Sequence, residues 1–228
     1  MLIGVVAHVN REHLVTKLIR EIDVDVIRWD DGIPSVAGCA NNHIRVLQEL
    51  NRCAGQRDEW CVVLEDDARP APKFREQLEK ALAVAETPLV GLYLGTGNPR
   101  GHTQQAISAA VYSAETTGSH WITADWFMST VGYAVKTSWL AALTSGLLSR
   151  GGPADNRIND WSHQVKFRTW YTQPSLVDHA DEPSMINGAH LALGDMVKPR
   201  QAWRFGTRDE WFARTVEMGY AKGWSPNV

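Results

Sequence analysis

Apolar positions recur along the first 95 residues in two alternating rhythms. Residues 2–7 form a short unbroken run rich in Val and Ile, which suits a strand buried on both faces, and a polar loop follows at 8–11. In 12–22, Leu14, Leu18, Ile19 and Ile22 stand at helical spacing with charges between them. Residues 23–29 alternate as a strand that ends in the turn Asp30-Asp31-Gly32. A second helix is predicted over 38–50, with Ile44, Leu47 and Leu50 on one side, and 55–59 is a polar break. Residues 60–64 read as another buried strand, and it runs straight into Glu65, Asp66 and Asp67. Pro70 and Pro72 impose a turn or helix start. A helix over 74–84 and a strand over 89–94 follow, closed by the loop Gly95-Thr96-Gly97-Asn98-Pro99. This is the βαβ alternation of an open α/β sheet flanked by helices.

The pattern weakens over 101–124, where small and polar residues predict an irregular or mobile segment. It recovers as a strand at 131–135 and a helix at 137–148, before the hard break Gly151-Gly152-Pro153. No repeat or low-complexity tract interrupts the chain, and 228 residues suit a single domain.

Composition narrows the class. With 44% hydrophobic and 21% charged residues the chain is an ordinary globular one. No apolar run reaches the roughly 18 to 20 residues of a membrane helix, and 1–9 is too short and too soon charged for a signal peptide, so a cytoplasmic location is expected. Cys39, Cys53 and Cys61 show neither redox nor metal-ligand spacing and read as reduced, mostly buried residues without functional weight. A net charge of −3 argues against a broad grip on nucleic acid. Only toward the C-terminus do cations (Lys198, Arg200, Arg204, Arg208, Arg214, Lys222) outnumber anions, which a solvated helix face explains as well as a basic groove does.

The acidic triplet carries the chemistry. Ligands of open α/β sheets bind at the carboxyl ends of strands, so acids placed directly after a buried strand face the crevice. Adjacent carboxylates at a half-buried strand end repel unless a cation or hydrogen bonds compensate. A hard divalent ion, Mg²⁺ or Mn²⁺, bound by one or two carboxylates and completed by substrate phosphates is the simplest compensation. In extended chain Glu65 and Asp67 share a face, leaving Asp66 for a structural partner, although a turn would equally aim Asp66 at a ribose. A solvated turn without any ligand is the plain alternative.

The stretch Gly38-Cys39-Ala40-Asn41-Asn42-His43, a helix, and then Cys61-Val62-Val63-Leu64-Glu65-Asp66-Asp67-Ala68 resembles the bacterial family 25 glycosyltransferases, which include lipooligosaccharide galactosyltransferases. Val131-Gly132-Tyr133-Ala134-Val135 is similar to the family's Gly-Tyr strand, Pro153-Ala154-Asp155 to its Pro-Val-Asp segment, and 173–179 to its late Pro-x-Leu-Val stretch. Residues 95–125 match nothing in the pattern. The resemblance implies a GT-A, Rossmann-like open mixed sheet, with a nucleotide-sugar-binding half at about 1–95, an acceptor half at about 96–195 and a helical, basic appendage at 196–228. It further implies an inverting transfer from a nucleotide sugar, UDP-linked, to a glycan hydroxyl, with a protein or hydroxylated DNA base also open as acceptor.

In that frame Asp67 and Glu65 hold the metal, and a late histidine, His179, completes the shell, which favours Mn²⁺ over Mg²⁺. Asp155 is the candidate general base by analogy, with helix N-capping as the alternative. The donor would meet His8, Asn10, Arg11, Asp66 and one of Asp30 and Asp31, the last two equally readable as an ordinary turn. His43 suits helix positioning at least as well as ligand contact. Of the ten tryptophans, Trp121 and Trp126 fall in an otherwise polar stretch and are the expected sugar-stacking pair.

Other classes fit less well. A nucleotidyltransferase would carry a Gly-rich phosphate loop after the first strand, and 3–13 has none. A two-metal phosphohydrolase would use clustered acids without a sugar nucleotide. A Trp-rich carbohydrate-binding module has no need of carboxylates at a buried strand end.

Overall fold

A computed structural model describes residues 1–97, 101–182, 185 and 200–219 of the 228. The first rhythm folds as read: β1 (Leu2–His8), α1 (Glu12–Glu21), β2 (Val26–Asp30), α2 (Val36–Ala54) and β3 (Trp60–Glu65). A short β4 (Ala68–Pro70), α3 (Phe74–Leu82) and β5 (Leu89–Gly91) complete the first part. There follow α4 (His102–Thr117), β6 (Trp121–Ala124), β7 (Gly132–Lys136), α5 (Thr137–Leu148), α6 (Ala154–Gln164), β8 (Thr169–Thr172), β9 (Val177–His179) and β10 (Thr215–Glu217).

Eight strands make one mixed sheet in the order β10-β6-β8-β5-β7-β3-β1-β2. Strands β3, β1 and β2 are parallel, with Val6 opposite Glu65 and His8 opposite Asp30, so their carboxyl ends open into one crevice. Strand β7 runs antiparallel beside β3. Side chains alternate across β1: Ile3, Val5 and Ala7 pack with Val15 and Leu18 of α1 and Phe74 and Leu78 of α3. Leu2 and Val6 meet Ile44, Leu47 and Leu50 of α2, with Leu140 and Leu143 of α5 in the same cluster. Helices thus cover both faces of an open mixed α/β sheet in one domain, the architecture read from the sequence.

Two expectations are corrected. Residues 101–124 are ordered as α4 and β6. The buried stripe of α4 (Thr103, Ile107, Ala110, Val111, Ala114) has helical spacing but is built of small side chains, so its periodicity is faint while its helix propensity is good. Gly118, at φ 64°, closes it in the left-handed conformation. Over its described residues, 200–219, the C-terminal stretch is not a helical appendage: it contains no helix and its contacts lie along the body of the domain. Ala202 bridges Gly95, Trp211 is buried, and β10 adds to the sheet edge beside β6. Lys198, Lys222, Asn98 and Pro99 lie outside the described residues. Among the described residues no helix is long and apolar enough to cross a membrane.

Candidate functional site

Strand β3 ends at Glu65, and Asp66 and Asp67 form the turn into β4. That turn ends the alternation on which a shared face for Glu65 and Asp67 was expected. Glu65 instead points back to the sheet and α2: its Oε1 accepts from Thr130 Oγ1 at 2.6 Å and lies 3.2 Å from His43 Nε2. The two aspartates share a single guanidinium. Arg11 Nη1 donates to Asp66 Oδ1 at 2.8 Å and to Asp67 Oδ2 at 2.6 Å, and all three side chains are largely buried. Asp66 Oδ2 also accepts from the His8 amide at 3.0 Å, which ties the turn to the end of β1. Asp67 Oδ1 is buried with no hydrogen-bond partner among the described residues.

Charge follows from this packing. Burial lifts the Asp66 pKa to about 6, with the charges of Asp67 and Glu65 adding to the rise and Arg11 opposing it. Burial also acts to raise Glu65, but the His43 and Thr130 hydrogen bonds outweigh it and hold the carboxylate below its ordinary range. Asp155 is raised, first by burial, and the Glu65 charge adds to the effect.

β4 pairs antiparallel with β9, and Ala68 opposite His179 brings the imidazole to the turn, with Nε2 3.4 Å from Asp67 Oδ2. The Asp181 amide donates to His179 Nδ1 at 2.7 Å, so the neutral ring carries its proton on Nε2 and presents it to Asp67. In this state His179 steadies the carboxylate. Ligating a metal through Nε2 would require that bond to Nδ1 to be given up.

Two cavities, about 130 Å³ and about 240 Å³, adjoin at the end of β3 and share Cys39, Glu65, His179 and Arg200 on their walls. The first holds His8, Arg11, Asp30 and Asp66 of the expected donor set, with Asp67, the expected metal ligand, beside them. His8 is committed to the fold: Nδ1 accepts from the Asn10 amide at 3.1 Å, leaving Nε2 to donate to the Gly32 carbonyl at 3.1 Å. Asn10 and Asp31 are exposed and line neither cavity, so the expectation that they meet the donor is not met by their positions. The second cavity is walled by Tyr93, residues 128–131 and Asp155. Asp155 sits in the first turn of α6, where Pro153 rather than Asp155 is the N-cap residue.

The stacking pair is overturned. Trp121 is fully buried against Trp170 and Trp211, and Trp126 is buried in the cluster that covers α4. Their apolar bulk goes to the core, as most tryptophan does. Cys39, read as inert, lies on the wall of both cavities. Arg200 also lines both, held by its amide to Asp181 Oδ1 at 2.9 Å. The basic C-terminal composition was its only signal in the sequence, whereas nothing there singled out Tyr93 or Thr130.

No family model matches the chain, so the family 25 resemblance rests on its motifs alone. No curated protein matches it either. Among solved structures it is similar to A197 from STIV, at 12% identity and a TM-score of 0.45, over 81% of this chain and 87% of that one. It is also similar to a glycosyltransferase involved in the glycosylation of the major capsid of PBCV-1, at 11% identity and a TM-score of 0.35, over 64% of this chain and 66% of that one. At these scores neither likeness assigns an activity to this chain.

Proposed function

We propose that the protein is a GT-A-type glycosyltransferase that binds a nucleotide sugar, UDP-linked, in the first cavity and transfers its sugar, with inversion, to an acceptor hydroxyl in the second. The observation that carries this reading is the pair of adjoining cavities that share Cys39, Glu65, His179 and Arg200, with Asp66 and Asp67 on the first and a titratable carboxylate, Asp155, on the second. A transferase needs a donor and an acceptor to approach one another across a charged centre, and this arrangement sets two cavities side by side across one.

The residues fit a divalent cation. Asp67 Oδ1 offers a buried lone pair that nothing among the described residues satisfies, and Asp66 stands beside it with a raised pKa that a cation would reverse. Asp67 and Asp66 would hold Mn²⁺ or Mg²⁺, with Glu65 anchored behind them by His43 and Thr130. When bound, the ion supplies charge stabilisation at the leaving diphosphate. Arg11 and Arg200 place two further cations on the donor cavity. Asp155 would take the proton of the acceptor hydroxyl as its oxygen attacks the anomeric carbon, and burial, by raising its pKa, makes it a stronger base. A glycan is the acceptor class the motif resemblance suggests.

The test is release of free nucleotide from a panel of nucleotide sugars, with Mn²⁺, with EDTA, and with Asp67→Asn. Turnover of one donor that needs both the ion and Asp67 supports the reading and names the donor. No turnover and no binding of any donor sinks it. In the same assay Asp155→Asn should lower kcat by about 100- to 10,000-fold with donor affinity unchanged; an equal loss of donor binding would place Asp155 on the wrong side of the crevice.

A further inference from the structure

Cys39 and His43 stand four residues apart on α2, so their side chains share one face of the helix, and that face meets the end of β3. The Cys39 thiol, a ring nitrogen of His43 and a carboxylate oxygen of Glu65 all lie within 4.8 Å of one another. His43 is wholly buried and its second nitrogen, Nδ1, is 3.4 Å from the Tyr133 hydroxyl. We propose that Cys39, His43 and Glu65 form a zinc site, with a thiolate, an imidazole and a carboxylate as ligands and a fourth position open to the crevice.

Tetrahedral zinc with bonds of about 2.0 to 2.3 Å sets its ligand atoms roughly 3.3 to 3.8 Å apart, so the three atoms need close in by no more than about 1.5 Å. The donor set selects the metal. A thiolate beside an imidazole suits zinc, whereas the all-oxygen turn at Asp66 and Asp67 suits a harder ion. Charge balances, because the thiolate and the carboxylate together neutralise a divalent ion. Without a cation the thiol stays protonated, since burial and the neighbouring carboxylates push its pKa up; a bound metal inverts that preference. To ligate, His43 would give up the Nε2 hydrogen bond to Glu65 and carry its proton on Nδ1, where the Tyr133 hydroxyl oxygen is placed to accept a hydrogen bond from it, the kind of outer partner that fixes a metal-bound histidine. Cys39 and Glu65 each border both cavities, so the open position faces substrate space.

A plainer account makes His43 a prop for Glu65 and Cys39 a filler. The two accounts differ at Cys39, whose removal the plainer one tolerates without effect on metal binding. The zinc site goes beyond the glycosyl-transfer reading and does not rest on it. Full-length protein stripped of metal is titrated with Zn²⁺, and with Co²⁺ as a spectroscopic probe. One equivalent of zinc, and a thiolate-to-cobalt charge-transfer band, are expected. Cys39→Ala and Cys39→Ser should abolish the band and weaken zinc by roughly 100-fold or more, above the loss of about 10-fold expected for Tyr133→Phe. Cys53→Ala should keep both signals. Asp67→Asn should also keep both while losing nucleotide release, which separates failure of this site from failure of the donor site. Absence of stoichiometric zinc, or zinc affinity unchanged in folded Cys39→Ala, overturns the proposal.

Discussion

At the scale of single residues the site turns on Arg11, whose guanidinium is the counter-charge for two adjacent buried carboxylates. Removing one partner of a buried ion pair leaves the other uncompensated, at a cost of about 3 to 5 kcal/mol. Arg11→Met should therefore lower unfolding free energy by about 3 kcal/mol in chemical denaturation with EDTA, and Mn²⁺ should recover part of that loss by binding the freed acids. A loss that Mn²⁺ leaves untouched would mean that Asp66 and Asp67 do not hold a cation. The acids themselves were legible, because a buried strand that runs into three carboxylates leaves them nowhere to go but the crevice. Their division was not legible. Whether Glu65 or Asp66 pairs with Asp67 depends on where β3 stops and the turn begins, and the arginine that settles it lies 55 and 56 positions away. The tryptophans misled for a related reason: a polar neighbourhood in sequence says little about what packs against a side chain across the sheet.

At the scale of elements, α2 matters most, since it carries Cys39 and Asn42 to the crevice and His43 to Glu65 and lies directly on β1. Gly4 makes that approach possible: a Cβ there would sit 2.6 Å from Val46 Cγ1 and 3.0 Å from Leu50 Cδ1. Gly4→Ala should destabilise by about 1 to 3 kcal/mol through overpacking. The added Val46→Ala change should relieve part of this, so that the double variant is more stable than the sum of the singles by more than about 0.5 kcal/mol. Strict additivity would show that the helix does not bear on Gly4. Strong periodicity made α1, α2 and α3 readable to within a few residues, and a high apolar content marked α5. The small-residue stripe of α4 did not, because alanine supplies helix propensity with little hydrophobic contrast. β10 was hidden because its three residues are exposed or half-exposed and gain their strand geometry only by pairing with β6.

At the scale of the whole molecule, residues 200–219 bind distant parts of the chain together, and so they belong to the domain rather than hanging from it. Gln77 of α3 exchanges hydrogen bonds with the Arg208 backbone at 2.8 and 3.0 Å and accepts from Trp211 Nε1 at 3.1 Å. The same segment delivers Arg200 to the crevice, so its seating bears on the site. One of its fastenings titrates. The Phe212 amide donates to His120 Nδ1 at 3.0 Å, which requires that nitrogen to be unprotonated. Burial first, and then Arg208 and Arg214, hold the His120 pKa below its ordinary 6.5. The folded state thus binds this proton less readily than the unfolded one. The stability His120 contributes is present in full above the unfolded value of 6.5 and is lost as pH falls below it through the lower folded value. Denaturation at pH about 7.5 and about 5 should show a drop in stability that is smaller in His120→Asn, whose amide oxygen can accept from Phe212 without titrating. Hydrogen exchange should place the acid-labile part of the opening at 205–219 before the central sheet. A pH dependence unchanged in His120→Asn would move the acid sensitivity elsewhere, to the carboxylates of the crevice.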